Sequence, residues 1–276
     1  MRIVRDLPAL RAATKTMRRA GERVALVPTM GALHAGHLAL VEAARREADR
    51  VITSIFVNPL QFGPNEDFSK YPRTEEADLT ALEAAGCDIA WLPTVEVMYP
   101  PGAATVIEVA GPTEGFEGVA RPGHFRGVAT VCCKLFSQTE ADVAVFGEKD
   151  WQQLQVIRRM VADLDLPLGI LGHPIVRDAN GLALSSRNRY LSPAERAKAA
   201  MLPEAMREAA NAMLHGAAIE SALDAARDGL NAAGFDVNYL ALVEPETLRP
   251  TDALPARMIA AAKLGPVRLL DNMPVG

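Results

Sequence analysis

Apolar and polar positions along the first half of the chain predict strands that alternate with helices. Residues 24–27 are all apolar and predict a buried strand, and residues 38–50 carry apolar side chains three and four positions apart, as on one face of a helix. Residues 51–57 form a β-branched run that predicts a second strand. Strand, helix and strand in succession make a βαβ unit, which implies a parallel sheet with a right-handed crossover.

The same alternation continues as far as residue 176. Further helices are predicted at 11–20, 75–85, 128–138 and 151–161. Further strands are predicted at 88–92, 105–109, 142–146 and 168–176. Irregular segments are predicted at 58–72, 93–102 and 111–127. The first of these follows the carboxyl end of a strand, which is where open α/β sheets bind ligands.

Beyond residue 176 the pattern changes to helices followed by short strands. A turn at 177–181 predicts the boundary between a domain of residues 1–176 and one of residues 177–276. Ser192-Pro193-Ala194-Glu195 is a capping box with proline at the first helical position. Helices are expected at 193–214 and 217–233, and strands at 237–243, 258–263 and 267–270. The prediction is an α/β parallel-sheet domain followed by a smaller α+β domain.

Composition limits the kind of protein. Of 276 residues, 49% are hydrophobic and 23% are charged, so a packed core is expected and global disorder is not. The net charge of -5 argues against a nucleic-acid partner. Three cysteines, two of them adjacent at Cys132 and Cys133, fit neither a disulfide framework nor a zinc pattern and indicate a reducing cytoplasm. We expect no signal peptide and no membrane span, since no apolar run approaches about eighteen residues.

The segment PTMGALHAGH at 28–37 holds two imidazoles and two glycines between a predicted strand and a predicted helix. A helix N-terminus presents unpaired N–H groups and partial positive charge, and it therefore attracts anions. His34 and His37, three positions apart, can face the same side of the first turn. We predict a nucleotide triphosphate here. The alternatives are a purely structural helix start or part of a metal site, for which no third His or Cys has a convincing spacing.

Two further segments fit the same hypothesis. Gly147-Glu148-Lys149-Asp150 follows a predicted strand and is either a solvated charged turn or a lysine on phosphate oxygens with an aspartate on ribose hydroxyls. Ser185-Ser186-Arg187 is either a polar turn or a mobile loop that adds hydroxyls and a guanidinium around a triphosphate.

Two glutamines are candidates for recognition of a second substrate. Gln61 and Gln153 are either ordinary polar residues or neutral amides that recognise hydroxyls and carboxylates. His124 either orders its glycine-rich segment or fills a polar niche. The phosphate-loop and GxGxxG patterns are both absent from the sequence, so neither a P-loop enzyme nor an NAD enzyme is supported.

Taken together, these segments resemble the pantoate–β-alanine ligase family. The matching pieces are PTMGALHAGH, FVNPLQF, RPGHFRGV, VFGEKDWQQL and GLALSSRNRYL, in that order, with RLLDN near the end of the chain. The first piece alone indicates only the wider group of nucleotidyl-transferring enzymes with a His-x-Gly-His signature. The ordered set, from residue 28 to residue 191, is far more specific.

The resemblance implies a Rossmann-like N-terminal domain that binds ATP and pantoate, with the smaller α+β domain as a lid. It implies a homodimer that uses Mg²⁺. The implied reaction is ligation of pantoate and β-alanine to pantothenate through a pantoyl adenylate, with release of AMP and pyrophosphate.

The resemblance also assigns residues. The implied ATP site consists of Met30, Gly31, Ala32, Leu33, His34, Ala35, Gly36, His37, Gly147, Glu148, Lys149, Asp150, Val176, Leu184, Ser185, Ser186 and Arg187. The implied catalytic residues are His34, His37, Lys149 and Arg187, with His37 as proton donor. Gln61 is implied to bind pantoate and β-alanine, and Gln153 to bind pantoate. Leu184 (often Met in the family) and the Cys132–Cys133 pair depart from the common pattern without removing a needed donor.

Two rival interpretations remain open. One is another His-x-Gly-His enzyme, either a simple nucleotidyltransferase or a class I aminoacyl-tRNA synthetase, although a synthetase would need a basic tRNA surface. The other is a non-catalytic nucleotide sensor, which would bind ATP and leave it uncleaved.

Overall fold

A computed structural model describes residues 1–64, 66 and 68–276. The described chain divides into two compact units. Unit 1 comprises Met1–Glu148 and Gln152–Pro174, and unit 2 comprises Lys149–Trp151 and Ile175–Gly276. The units differ from the domains predicted as 1–176 and 177–276 chiefly in the short segment Lys149–Trp151, which groups with unit 2.

The strands of unit 1 form one parallel sheet. They are β1 (Arg2–Val4), β2 (Val24–Thr29), β3 (Arg50–Ile55), β4 (Ile89–Trp91), β5 (Val143–Gly147) and β6 (Gly169–His173). Their spatial order is β1-β4-β3-β2-β5-β6, and every neighbouring pair is parallel. This confirms the predicted α/β class. Strand β2 has β3 on one side and β5 on the other, so the strand order reverses there and creates a topological switch point.

Helices follow the strands in the order that a parallel sheet requires. They are α1 (Leu7–Arg19), α2 (Ala35–Glu47), α3 (Glu75–Ala84), α4 (Val95–Met98), α5 (Phe116–Ala120), α6 (His124–Thr139) and α7 (Trp151–Asp163). Residues Val24 to Val27 of β2 are fully buried, as expected for a strand covered on both faces. Val41 and Ala44 of α2 pack into the same core.

Several local predictions for unit 1 were wrong. Residues 105–109 were expected to form a strand, but they run as irregular chain, and the Ile107 N–H donates to Thr130 Oγ1 at 2.9 Å instead of to a neighbouring strand. Residues 93–102 contain α4, whose start is capped by Thr94 Oγ1. The segment 111–127 contains α5 and the first turn of α6. Strand β1, which pairs with β4, was not predicted.

Unit 2 packs helices on a small sheet. The helices are α8 (Pro193–Ala199), α9 (Met201–Leu214) and α10 (Ile219–Ala232), and the strands are β7 (Asp236–Val243), β8 (Ala256–Leu264) and β9 (Val267–Val275). The antiparallel order is β7-β8-β9, which confirms the α+β prediction. Leu202 and Met206 of α9 and Met258 of β8 lie in one apolar core.

The start of α8 is the predicted capping box. The Glu195 N–H donates to Ser192 Oγ at 3.2 Å, and the Ser192 N–H donates to Glu195 Oε2 at 2.8 Å. The single helix predicted for 193–214 is instead divided at Ala200. Pro203 explains the break, because proline lacks the N–H that a continuous helix would donate to the carbonyl of Ala199. Within the described residues, no helix is both long enough and apolar enough to cross a bilayer.

Candidate active site

The turn after β2 is held by a buried carboxylate. Asp78, on α3, is only 3% exposed, and its Oδ2 and Oδ1 accept the N–H groups of Ala32 and Leu33 at 2.9 and 2.8 Å. Gly31 has φ +79°, and a Cβ there would lie 3.0 Å from Asp78 Oδ2, so glycine is needed at this position. This anchoring role of Asp78 was not predicted from the sequence.

The same turn is tied to the sheet. Thr29 Oγ1 donates to the carbonyl of Ser54 at 2.6 Å and accepts the Gly31 N–H at 3.3 Å. Thr74 Oγ1 lies 3.2 Å from Asp78 Oδ1. Contacts from β2, β3 and α3 therefore fix the conformation of the turn that leads into α2.

His34 and His37 build the start of α2 by accepting main-chain protons. His34 Nδ1 accepts the Gly36 N–H at 3.1 Å, and His37 Nδ1 accepts the His34 N–H at 3.3 Å. The two ring centroids lie 4.1 Å apart. A ring nitrogen that accepts carries no proton, so we assign the proton of each neutral imidazole to Nε2. Both rings thus present an N–H donor at a helix N-terminus, where anions are stabilised.

Candidate residues after β5 lie at the same edge of the sheet. Strands β2 and β5 are parallel neighbours that pair at Ala25↔Val143 and Leu26↔Ala144. Their carboxyl ends therefore point the same way, toward Met30 in one case and toward Gly147 and Glu148 in the other. In unit 1 the structure places these predicted ATP-site residues at the switch point of the sheet.

Gln61 is buried and is oriented by Asn58. Asn58 is 1% exposed, and its Nδ2 donates to Gln61 Oε1 at 3.0 Å, while its Oδ1 accepts the Tyr99 hydroxyl at 2.8 Å. Burial raises the pKa of Tyr99, which is consistent with a hydroxyl that donates here. Gln61 Nε2 lies 3.1 Å from Met30 Sδ, so these two predicted site residues are in contact. The role of Asn58 was missed, although it stands in the FVNPLQF piece.

A second group of side chains holds the main chain of Gln61. His124 Nδ1 donates to the Gln61 carbonyl at 2.9 Å, and Arg121 NH1 donates to His124 Nε2 at 3.0 Å. Arg121 also pairs with both carboxylate oxygens of Glu66, at 2.8 and 2.7 Å. Burial alone would raise the pKa of Glu66, but the hydrogen bonds and charge of Arg121 outweigh it and the net pKa is lowered. His124 therefore orders the segment around Gln61 and does not merely occupy a polar site.

Close packing explains the second glycine of RPGHFRGV, Gly127. A Cβ at Gly127 would lie 2.2 Å from the carbonyl oxygen of Leu60, so any side chain would push α6 away from the Gln61 segment. Gln153 lies half-buried in the first turn of α7. Its neighbour Gln152 is buried, and its Nε2 donates to the carbonyl of Pro112 at 3.0 Å. The role of Gln153 in binding stays a prediction.

In unit 2, Lys149 is held through its main chain. Its carbonyl accepts a hydrogen bond from Asn272 Nδ2 at 2.9 Å, and its ammonium lies 3.6 Å from Asp150 Oδ1. Trp151 Nε1 donates to the carbonyl of Pro245 at 2.8 Å, and the Arg257 guanidinium lies 3.3 Å from the centre of a Trp151 ring. Residues distant in sequence therefore define the position of this segment.

The other predicted residues of unit 2 lie on one hairpin and the turn after it. The Leu184 N–H donates to the Val176 carbonyl at 2.9 Å, so these two predicted residues are cross-strand partners. Ser185 caps a short 3-10 helix, Ser186–Tyr190, by accepting the Arg187 N–H at 3.3 Å. The structure thus brings Val176 and Leu184 together and places Ser185 and Arg187 directly after them.

Metal-ligating side chains do not form a cluster in the described part of the chain. Among the described positions, no group of three or more His, Cys, Asp or Glu side chains is arranged to hold a metal ion.

Comparison with known proteins covers the whole chain. A family model described as pantoate-beta-alanine ligase matches residues 2–274. The pantothenate synthetase of Rhizorhabdus wittichii is 56% identical over 278 residues, which cover 100% of this chain and 99% of that protein. A crystal structure of pantothenate synthetase from Thermus thermophilus superposes with a TM-score of 0.94 at 49% identity, covering 100% of this chain and 99% of the other.

A third comparison includes bound molecules. The pantoate-beta-alanine ligase of Francisella tularensis, crystallised with beta-gamma ATP and beta-alanine, has a TM-score of 0.84 at 32% identity. The match covers 99% of this chain and 97% of that one.

Proposed function

The chain belongs to the pantoate–β-alanine ligase family, and we propose that it joins pantoate to β-alanine at the expense of ATP through an acyl adenylate. The Francisella tularensis relative, crystallised with an ATP compound and beta-alanine, supports both ligands. Within the structure, the proposal rests on one observation above others: α2, capped by His34, begins at the carboxyl end of β2 at the switch point of the sheet.

The reaction needs an activated carboxylate, because resonance and negative charge make a free carboxylate a poor acyl electrophile. In the proposed first step, a carboxylate oxygen of pantoate attacks the α-phosphorus of ATP, and the bond to the β-phosphate breaks to release pyrophosphate. In the second step the β-alanine amine attacks the acyl carbon. The carbon–oxygen bond breaks, AMP leaves with that electron pair, and the amine loses a proton.

Unit 1 supplies neutral and dipolar donors for the first step. The Nε2–H groups of His34 and His37 and the N-terminus of α2 offer hydrogen bonds to phosphate oxygens as negative charge shifts to pyrophosphate. His37 is the proposed proton donor. Because the donors are held by main-chain hydrogen bonds before ATP arrives, little reorganisation is needed at the moment of reaction.

Unit 2 supplies cations and hydroxyls. We assign Lys149 and Arg187 to the phosphates, Ser185 and Ser186 to further hydrogen bonds, and Asp150 to the ribose. An anion must approach a polyanion in the first step, although the whole chain carries a net charge of -5. These local positive charges are therefore needed to offset the repulsion.

Gln61 and Gln153 are the proposed recognition groups for pantoate. A neutral amide hydrogen-bonds both the hydroxyls and the carboxylate of pantoate without adding a charge that would compete for ATP. Gln61 is also assigned to β-alanine. The contact between Gln61 Nε2 and Met30 Sδ supports a pantoate position next to the 30–37 segment.

The proposal includes three further features, which are bound Mg²⁺, a homodimer and a cytoplasmic location. Mg²⁺, when bound together with ATP, would neutralise charge on the phosphates, and no protein ligand is assigned to it. The enzyme is a homodimer, which light scattering of the purified protein tests. Its location is cytoplasmic, in keeping with three cysteines that are all thiols.

The experiment that tests the function is product analysis. The protein is mixed with Mg²⁺-ATP, pantoate and β-alanine, and the mixture is examined by mass spectrometry. AMP with pantothenate supports the ligase, whereas bound and uncleaved ATP supports a nucleotide sensor. Pantoate-dependent exchange of labelled pyrophosphate into ATP, measured without β-alanine, tests the acyl adenylate separately.

A further inference from the structure

Two adjacent residues near the end of β9 are both polar and both buried. Asp271 and Asn272 are each 3% exposed. Successive strand residues point to opposite faces of a sheet, so these two side chains leave β9 in opposite directions. On the face of Asp271, the neighbours Leu269 and Val275 belong to the helix-packed core.

Asn272 is linked to Lys149. Its Nδ2 donates to the Lys149 carbonyl at 2.9 Å, and its Oδ1 accepts from Arg257 Nε at 2.7 Å. The Arg257 guanidinium in turn lies over the Trp151 ring. Asn272 therefore holds the Lys149–Trp151 segment at one end directly and at the other through Arg257.

Asp271 is linked to the hairpin that precedes Ser185. Its two carboxylate oxygens accept from the two terminal nitrogens of Arg177, each at 2.7 Å. Arg177 also donates to the Gly181 carbonyl at 3.0 Å, and it pairs across the hairpin with Ala183. The hydrogen bonds and charge of Asp271 raise the pKa of Arg177, as expected for a paired guanidinium. Asp271 thus fixes the hairpin of residues 177–183, which leads directly into Ser185–Arg187.

We propose that Asp271 and Asn272 are positioning residues. Together they fix the positions of the Lys149 segment and the Ser185–Arg187 segment relative to each other within unit 2. The inference rests on the proposed function, since it treats both segments as ATP-binding. Neither residue touches ATP. Each acts by fixing the main chain from which a cation extends.

The burial of these polar groups supports a positioning role over a merely stabilising one. Apolar residues of similar size at such positions would often stabilise a fold as well as a buried ion pair does, because charged and amide groups lose hydration when they are buried. Their advantage is directional: the carboxamide of Asn272 and the carboxylate of Asp271 each specify the partner's distance and orientation.

The main test is Asn272→Asp in the full-length protein. The carboxylate still accepts from Arg257 but no longer donates to the Lys149 carbonyl. We expect kcat of pantoate-dependent pyrophosphate exchange to fall by about 100-fold, the scale associated with a misplacement of about 1 Å. Pantoate binding to the enzyme without ATP, measured by calorimetry, is expected to be unchanged.

A double-mutant cycle separates positioning from general damage. If Asn272 acts through Lys149, then Asn272→Asp lowers exchange only slightly further in a Lys149→Ala background. An undiminished effect in that background contradicts the proposal. Asp271→Asn, which weakens the Arg177 pair, is expected to show a smaller loss that becomes non-additive with Arg187→Ala.

Controls keep the outcome interpretable. Arg268→Gln, on the same strand, removes an exposed hydrogen bond to Asn238 and is expected to leave exchange unchanged. If Asn272→Asp does not fold, Asn272→Ser replaces it in the same assays. Normal exchange by a folded Asn272 variant, in an experiment where Lys149→Ala is impaired, overturns this inference alone. Absence of exchange in the wild-type protein overturns the proposed function instead.

Discussion

The 30–37 segment of unit 1 and the Lys149 segment of unit 2 reach defined conformations by different means. In unit 1, His34 and His37 are at once the caps of α2 and the candidate donors to phosphate. In unit 2, Lys149 is anchored through its main chain, by a residue 123 positions away. Unit 1 combines structure and chemistry in the same side chains, whereas unit 2 divides them between Lys149 and the residues that hold it.

Mutations in these two segments should therefore affect stability and activity differently. A histidine that caps a helix cannot be removed without some loss of stability, while an anchored lysine can. The combination in unit 1 is not complete, because Asp78, which is not a candidate phosphate donor, also holds the turn by accepting two of its N–H groups. Four expected outcomes test the contrast, beginning with the largest effect.

His34→Ala should impair both properties. We expect exchange to lose about 2.7–4 kcal/mol of transition-state stabilisation, as for removal of one preorganised donor, and folding to lose about 0.5–2 kcal/mol with the cap. His34→Asn is the matched variant, since its amide oxygen can accept the Gly36 N–H but it lacks Nε2. Thermal unfolding near wild type with exchange still lost is the expected result for Asn, and normal exchange would remove His34 from the mechanism.

Lys149→Ala should impair activity alone. The side chain contributes charge to the phosphates, and the hydrogen bond from Asn272 uses the main chain, which remains. We expect exchange to fall by about 10²–10³-fold, with an unchanged unfolding temperature. Lys263→Ala, an exposed lysine on β8, is the control for loss of a positive charge. A folded Lys149→Ala protein with near-normal exchange would contradict the assignment.

Gln61→Ala should affect pantoate more than ATP. Loss of a hydrogen bond to a charged substrate costs about 1.5–3 kcal/mol, so we expect the KM for pantoate to rise about 10- to 100-fold while the KM for ATP changes little. Steady-state kinetics with each substrate varied measures both constants. Leu60→Ala, a change at the exposed neighbouring position, serves as the control. Unchanged pantoate kinetics would reject the role of Gln61.

The Glu66–Arg121 pair should give the smallest effect and a pH dependence. The pKa of Glu66 is lowered below its ordinary value of 4.5 in the folded state, so its stabilisation is present above that pH and is lost as the pH falls through the lower folded value. We expect Glu66→Gln to be less stable than wild type at neutral pH. The difference should shrink on acidification below about pH 4.5. Chemical denaturation across this range measures it, and a difference that stays constant would exclude the pair as the cause.

Elements with strong local signals were predicted well. The βαβ unit of β2, α2 and β3 follows from apolar runs and helical spacing, and the capping box at Ser192 follows from side chains that bond within four residues of each other. The candidate segments were also visible, because each is a short contiguous motif next to a predicted strand. Their roles in binding remain proposals.

Elements that depend on distant partners were missed. Residues 105–109 have strand-like composition, yet Thr130 of α6 takes the Ile107 N–H. Strand β1 has only three residues and exists through its pairing with β4. Asn58 looked like a loop residue, but its burial between Gln61, Gly127 and Tyr99 gives it a defined role.

Periodicity, capping and motif spacing are local properties of the chain. They were enough to predict the alternation of strands and helices, the capping box at Ser192, the family and the candidate side chains. The strand order, the anchoring of the 30–37 turn by Asp78 and the hydrogen bonds from Arg177 to Asp271 and from Asn272 to Lys149 could be seen only in the folded structure. Those features depend on hydrogen bonds between residues dozens of positions apart, and a buried polar group reveals its partner only once the chain is folded.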